Sequence, residues 1–318
     1  MDICTPRSLN HLLLCGIRTA IENIFTDSAH KQKYILLNDT DIPSNRFQCK
    51  FPDILSVNQD CSILRSQFIE IRKQMAKGSL SSTDPAVRSQ AIADAKAVMD
   101  FAAEIGCGIV TLWPGQDGYD YIFAADYIKE RQLFADGVEE LCRYRPEIVV
   151  TLEYKIKEPR THSYISTVGT TLLMIERIGL PNLGIALDYG HAALGYETAA
   201  EAVAMCHMYG DRLKHIHIND NFRLWDDDMI VGTVHTLEYL EFFWWLKRTG
   251  YNGYLVIDQF PYREDGRDAV QESAAWLDVL QDAAARIDDE EAERVIAARD
   301  GVAASRFMRK ILFGEKKA

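Results

Sequence analysis

Ile148-Val149-Val150-Thr151-Leu152-Glu153 and Leu183-Gly184-Ile185-Ala186-Leu187-Asp188 share one form, a short apolar run closed by a carboxylate. Each is too short for a typical core helix and too uniformly apolar for a strand with one wet face, so both read as strands buried on two sides. Gly108-Ile109-Val110-Thr111-Leu112-Trp113, Leu213-Lys214-His215-Ile216-His217-Ile218 and Tyr254-Leu255-Val256-Ile257-Asp258 repeat the form. Between these runs lie stretches with helical spacing near 120–144, 164–179, 197–210, 236–249 and 268–286. Another, near 86–105, opens on Asp84-Pro85, a capping residue followed by the proline that suits a first helical position. Strands alternating with helices predict a parallel sheet covered by helices.

At 318 residues the chain is long enough for two domains, yet closed α/β barrels of roughly 250 residues or more fold as one unit. The expected architecture is therefore α/β, a single (β/α)8 TIM barrel over residues 1–286, with a helical tail over 287–318. The N-terminal quarter is expected to be irregular, because only Leu12-Leu13-Leu14-Cys15, Tyr34-Ile35-Leu36-Leu37 and Ile54-Leu55-Ser56-Val57 offer strands before Gly108. A further helix is expected at 61–77. The tail, from Asp288-Asp289-Glu290-Glu291 to Phe307-Met308-Arg309-Lys310-Ile311-Leu312-Phe313, is amphipathic, which leaves packing on its own barrel and subunit contact both open.

Composition narrows the function. With 47% hydrophobic and 26% charged residues the chain suits a water-soluble globular protein, and no apolar run approaches the roughly 20 residues of a membrane span. No membrane association is expected. A formal charge of -12 repels phosphate backbones and no basic patch counters it, so nucleic acid is not an expected partner. The start Met1-Asp2-Ile3-Cys4 lacks a targeting pattern, which makes the cytoplasm the expected location. The seven scattered cysteines, none in a CxxC pair, read as reduced thiols without chemistry.

In a barrel of parallel strands, chemistry sits at the strands' C-terminal ends. Four successive runs place Glu153, Asp188, His217 and Asp258 there. Three carboxylates brought together repel unless protonation or a cation relieves them, and a divalent metal is the simpler remedy. Oxygen ligands with one imidazole suit Mn²⁺, Mg²⁺ or Co²⁺ better than structural zinc, and the nitrogen tilts the choice toward the transition metals, with Mn²⁺ the expected one.

These residues fall within segments that resemble the xylose-isomerase-like barrel superfamily and, within it, bacterial L-rhamnose isomerases. Gly78-Ser79-Leu80-Ser81-Ser82-Thr83-Asp84 resembles the family's Gly-Ser-Leu-Thr-x-x-Asp segment. Glu153-Tyr154-Lys155 through Glu158-Pro159 resembles its Glu-x-Lys…Glu-Pro strand end, and Asp188-Tyr189-Gly190-His191 its Asp-x-Gly-His. His217-Ile218-Asn219-Asp220, Asp226-Asp227-Asp228 and Asp258-Gln259 are similar to its remaining motifs. The likeness covers about residues 75 to 275. It implies Glu153, Asp188, His217 and Asp258 as ligands of a main metal, and Asp226 and Asp228 with His217 as ligands of a second. The gap from His217 to Asp226 is one residue longer than in the family.

The resemblance further implies a monosaccharide substrate, a homodimer or homotetramer, and a set of catalytic and binding residues. Lys155 stands two residues past Glu153 and so on the same side of an extended chain; its implied role is to polarise the sugar carbonyl. His191 is placed at a substrate hydroxyl, Glu158 or Asp226 as carboxylate base, Trp113 as an aromatic wall and Arg223 as a substrate-binding arginine. Together they predict a metal-dependent aldose–ketose isomerase, acting by hydride shift or by proton transfer through an enediol. A ketose 3-epimerase of the same superfamily and a metal-dependent lyase, such as the metal subunit of a C-glycoside-cleaving enzyme, are the alternatives. An abasic-site endonuclease shares the barrel, but its histidine-rich zinc cluster and basic groove do not fit eight histidines and an acidic chain.

Overall fold

A computed structural model of the chain describes residues 75–314. The strand candidates at 12–15, 34–37 and 54–57, and nearly all of the helix expected at 61–77, lie outside them. In order, the elements are α1 (Pro85–Glu104), β1 (Ile109–Leu112), β2 (Gly118–Tyr119), α2 (Tyr127–Tyr144), β3 (Val149–Glu153), β4 (His162–Ser163), α3 (Val168–Ile178) and β5 (Leu183–Asp188). Then follow α4 (Tyr189–Leu194), α5 (Ala199–Met208), β6 (Leu213–Ile218), α6 (Thr236–Thr249), β7 (Leu255–Ile257), α7 (Gly266–Ala285), α8 (Asp289–Ala298) and α9 (Gly301–Phe313). Among the described residues β1, β3, β5, β6 and β7 form one parallel sheet in that order, and β2 and β4 a small antiparallel ribbon. All five strands read from the sequence are present.

Local chemistry sets the helix starts. Asp84 accepts from the Ala86 N–H at 2.9 Å with Pro85 at the first helical position, and Thr167 and Thr170 form a reciprocal capping box at α3. One start differs from expectation: α2 begins at Tyr127, capped by Asp126, and not near 120. The preceding residues are drawn off by the ribbon, where Asp120 accepts from the Arg160 guanidinium at 2.6 Å and from the Thr161 N–H at 2.9 Å.

Alternation along the strands separates two faces. Val150, Leu152, Leu183, Ile185, Leu187, Ile216 and Ile218 lie outward beneath the helices, packed with Phe134, Val138, Leu172, Val203 and Phe242 in one core. The inward face is polar and layered by register. Thr111, Thr151 and Gly184 pair side by side, with the two threonine hydroxyls 2.8 Å apart. Glu153, Ala186 and His215 form the next layer, and Asp188 and His217 the one above it. The sheet thus lifts its charged residues to the strands' C-terminal end, and the apolar residues between them are what keep the strands in place.

The tail packs on its own barrel. The Trp244 indole N–H donates to Asp289 at 2.9 Å and Lys310 pairs with Glu291 at 2.8 Å, which folds α8 and α9 back on α6. Cys142 and Cys206 are free and buried. Among the described residues no helix is long and apolar enough to cross a membrane.

Beside the inward face, Asp117 ties the Gly78–Ser82 segment to the loop after β1. It is 1% exposed and accepts from the Ser79 N–H at 2.9 Å, the Ser81 N–H at 2.7 Å and the Ser79 hydroxyl. Burial pushes its carboxyl up, and these donors only partly oppose that. Asp117→Ala is expected to lower stability by about 1–3 kcal/mol, because buried donors are left without an acceptor. Urea denaturation measures it, and an unchanged midpoint would argue that water replaces the carboxylate without loss.

Candidate metal centre

Glu153 ends β3, Asp188 ends β5, His217 is the penultimate residue of β6, and Asp258 follows β7 with its N–H bonded to the Ile218 carbonyl at 3.1 Å. Asp188 and His217 are register partners, whereas Glu153 sits opposite Ala186, one layer lower. Its extra methylene gives it the reach to meet them. Each of the four offers a ligand atom within 4.8 Å of the others. His217 Nδ1 faces Glu153 Oε1 at 3.2 Å, Asp258 Oδ2 at 3.6 Å and Asp188 Oδ2 at 3.9 Å. Glu153 and Asp188 are fully buried, His217 is 2% exposed and Asp258 8%. The sequence-predicted set is therefore brought together as a set. Three carboxylate oxygens converging on one imidazole nitrogen, away from water, suit a divalent cation with mixed oxygen and nitrogen ligands.

A second group lies against the first. Lys155 Nζ is 2.7 Å from Asp226 Oδ2 and 2.9 Å from Glu158 Oε2. The same Asp226 oxygen is 3.2 Å from His191 Nε2, and His191 Nδ1 lies 3.1 Å from the Tyr154 carbonyl and 3.5 Å from Glu153 Oε1. Tyr154 O can only accept, so this contact places a hydrogen on Nδ1. The His191 N–H bonds Asp188, which caps α4, and this fixes the imidazole beside the cluster. Burial would push the Asp226 carboxyl up, but His191 and Lys155 outweigh it and hold the carboxyl below the usual range. Burial likewise works against charge on Lys155 and on His191, and their carboxylate neighbours raise both.

Asp226 and Asp228 do not join His217 around a second cation. Among the described residues the other group within one cation's reach is Asp188, His191 and Asp226. Lys155 and His191 hold Asp226 inward, while Asp228 turns to the Asn219 carboxamide at 3.2 Å. Trp113, half-buried just past β1, has its ring centroid 5.5 Å from Lys155 Nζ, which is where an aromatic wall would stand. Arg223 is placed elsewhere: its guanidinium lies 3.4 Å from Glu238 on α6. Asn219, two residues past His217 and so on its side of the chain, is part of the quoted motif with no role read for it. Its carboxamide nitrogen donates to Asp188 and to Asp228.

Residues 68–280 match the sequence model of the xylose isomerase-like TIM barrel. A xylose isomerase of Fervidobacterium gondwanense is 30% identical over 167 residues, covering 50% of this chain and 38% of its own. That of Thermus thermophilus is 27% identical over 234 residues, 70% of this chain and 60% of its own. The chain thus spans less than two thirds of the length of these relatives. Among solved structures, an L-ribulose 3-epimerase aligns with TM-score 0.57 at 18% identity over 71% of this chain and 77% of the other. A 3-keto-D-glucoside 4-epimerase from E. coli aligns with TM-score 0.54 at 21% identity, over 76% and 97%. At such identities these two show the fold alone. Four parallel strands that each bring one titratable residue to a common rim, and a family match running through all five strands of the sheet, make the chain a member of the xylose isomerase-like TIM barrel family.

Proposed function

We propose that this chain is a divalent-metal-dependent sugar isomerase that interconverts an aldose and a ketose, with Mn²⁺ the metal and Glu153, Asp188, His217 and Asp258 its ligands. The observation that carries the reading is the buried four-residue cluster with the Lys155 ammonium beside it, bridged through Asp226 and His191. A divalent ion held there supplies charge that stabilises a carbonyl oxygen and its neighbouring hydroxyl oxygen as hydrogen moves between their carbons. Lys155 donates to the carbonyl oxygen, and the planar Trp113 ring limits how the sugar lies. Glu158, held on Lys155, and Asp226, held on Lys155 and His191, are the carboxylates placed to take and return a proton. Arg223, turned to Glu238, is dropped from the substrate-binding set.

The dispersal of His217, Asp226 and Asp228 favours proton transfer through an enediol over a hydride shift assisted by two metals. The same dispersal keeps a second reading, a ketose 3-epimerase, because inversion beside a carbonyl needs one metal and carboxylates near the reacting carbon. The motif likeness to L-rhamnose isomerases and the xylose isomerase relatives support the first reading. With it go a monosaccharide substrate, a homodimer or homotetramer, a cytoplasmic location, and a division into a barrel over 1–286 and a tail over 287–318.

Protein loaded with Mn²⁺ and given a panel of aldoses and ketoses in heavy water, followed by NMR, tests this. Interconversion of C1 and C2 carbonyls with deuterium entering at those carbons is expected. Interconversion without label would restore the hydride shift, inversion and label at C3 would favour the epimerase, and no turnover of any sugar would sink both.

A further inference from the structure

Asn219 is fully buried, and its carboxamide nitrogen stands between two carboxylates. It lies 3.3 and 3.2 Å from the two oxygens of Asp188 and 3.2 Å from Asp228 Oδ1. The orientation is forced, since turning the amide over would aim its oxygen at three carboxylate oxygens. The Asn219 backbone carbonyl accepts the buried Tyr239 hydroxyl, and the side-chain Oδ1 rests on Gly190, where an added Cβ would collide with it. Asn221 closes the arrangement by donating to the Gly190 carbonyl at 2.8 Å. Two N–H groups are thus aimed in two directions, one at a residue of the metal cluster and one at the loop that carries Asp226.

That loop needs a tether. Asp228 has φ 47° and Arg223 φ 67°, left-handed conformations that side chains other than glycine rarely adopt. A neutral carboxamide with two N–H groups holds two carboxylates near each other without adding a charge beside the metal cluster. A serine is shorter and an aspartate would add a third negative group.

We propose that Asn219 is a positioning residue that ties Asp188 to the Asp226–Asp228 loop, so that cation binding at the cluster and the placement of that loop depend on each other. The proposal rests on the metal-centre reading. It goes further in making the acidic loop a part that responds to the metal through one carboxamide.

The test uses the full chain and Mn²⁺ alone. Free Mn²⁺ is followed by electron paramagnetic resonance to give affinity, and tryptic cleavage after Arg223 reports the loop. Wild-type protein is expected to bind Mn²⁺ and to be cut more slowly at Arg223 once loaded. Asn219→Ala is expected to bind Mn²⁺ about 10- to 100-fold more weakly, the usual cost of losing a ligand's supporting partner. At Mn²⁺ concentrations that fill the variant, its loop should stay as cleavable as without metal. Gly190→Ala, which leaves the carboxamide in place but pushes it aside, should reproduce both effects and covers the case that Asn219→Ala does not fold. Folded variants that bind Mn²⁺ like the wild type, or whose loops are still protected by it, would overturn the proposal. Wild-type protein that takes up no Mn²⁺ would overturn the metal-centre reading and this one together.

Discussion

Glu153→Gln protein is expected to retain its fold and lose tight Mn²⁺ binding, and turnover with it. The substitution keeps shape and removes charge at the point where the cluster is most crowded. Glu153 is fully buried, 3.2 Å from His217 Nδ1 and 3.5 Å from His191 Nδ1. Losing a supporting partner typically weakens a metal roughly 10- to 100-fold, and losing a ligand should exceed that. The metal-free protein should behave the opposite way. Three buried carboxylates repel when no cation is present, so the metal-free variant's melting temperature is expected to hold or rise. Wild-type protein should gain stability on adding Mn²⁺, by about 2.7 kcal/mol at a hundredfold excess over Kd, and the variant should gain far less. Metal content after dialysis and melting with and without Mn²⁺ measure both effects. Wild-type affinity should also fall as pH drops, since these ligands bind metal only when deprotonated. A variant that keeps its Mn²⁺ would end the site assignment.

The cluster was legible because a strand buried on both faces leaves little room for ambiguity. Its run is apolar throughout, so the first charged residue marks the end, and the barrel geometry says what an end is for. Gly118-Tyr119 and His162-Ser163 carry no such signal, because two residues have no periodicity and their pairing is long-range. α4 was illegible as a helix for another reason. Tyr189 through Leu194 are buried all round, so the segment lacks the polar face by which helical spacing is recognised. The acidic loop shows the limit of motif reading. Asp226 and Asp228 are two residues apart, yet one turns to Lys155 and His191 and the other to Asn219, since left-handed turns at Arg223 and Asp228 break the regular alternation of an extended chain. Spacing gives side-chain direction only where the backbone is regular.

Lys155→Met is expected to leave Mn²⁺ bound and to lower kcat by about 10²- to 10³-fold, the usual cost of losing one donor to a developing negative oxygen. Lys155 is 7% exposed and makes two carboxylate contacts, so a bland role as counter-ion for Asp226 and Glu158 must be separated from a role toward substrate. Lys155→Arg separates them. A guanidinium keeps the charge and pairs well with carboxylates, but it spreads its donors over a plane and cannot put a single ammonium at the same point. If Lys155 only balances charge, the arginine variant should turn over at nearly the wild-type rate while the methionine variant fails. If Lys155 donates to the carbonyl oxygen, both should fail in kcat, and stability should drop in the methionine variant alone. The resting contacts favour the second outcome. Asp226 Oδ2 lies 2.7 Å from Lys155 Nζ and 3.2 Å from His191 Nε2, so an oxygen already occupies the point between two donors that a sugar oxygen would take. On the proposed reading, substrate would have to displace that carboxylate to bind, and Asp226 would then stand beside the reacting carbon as the proposed base.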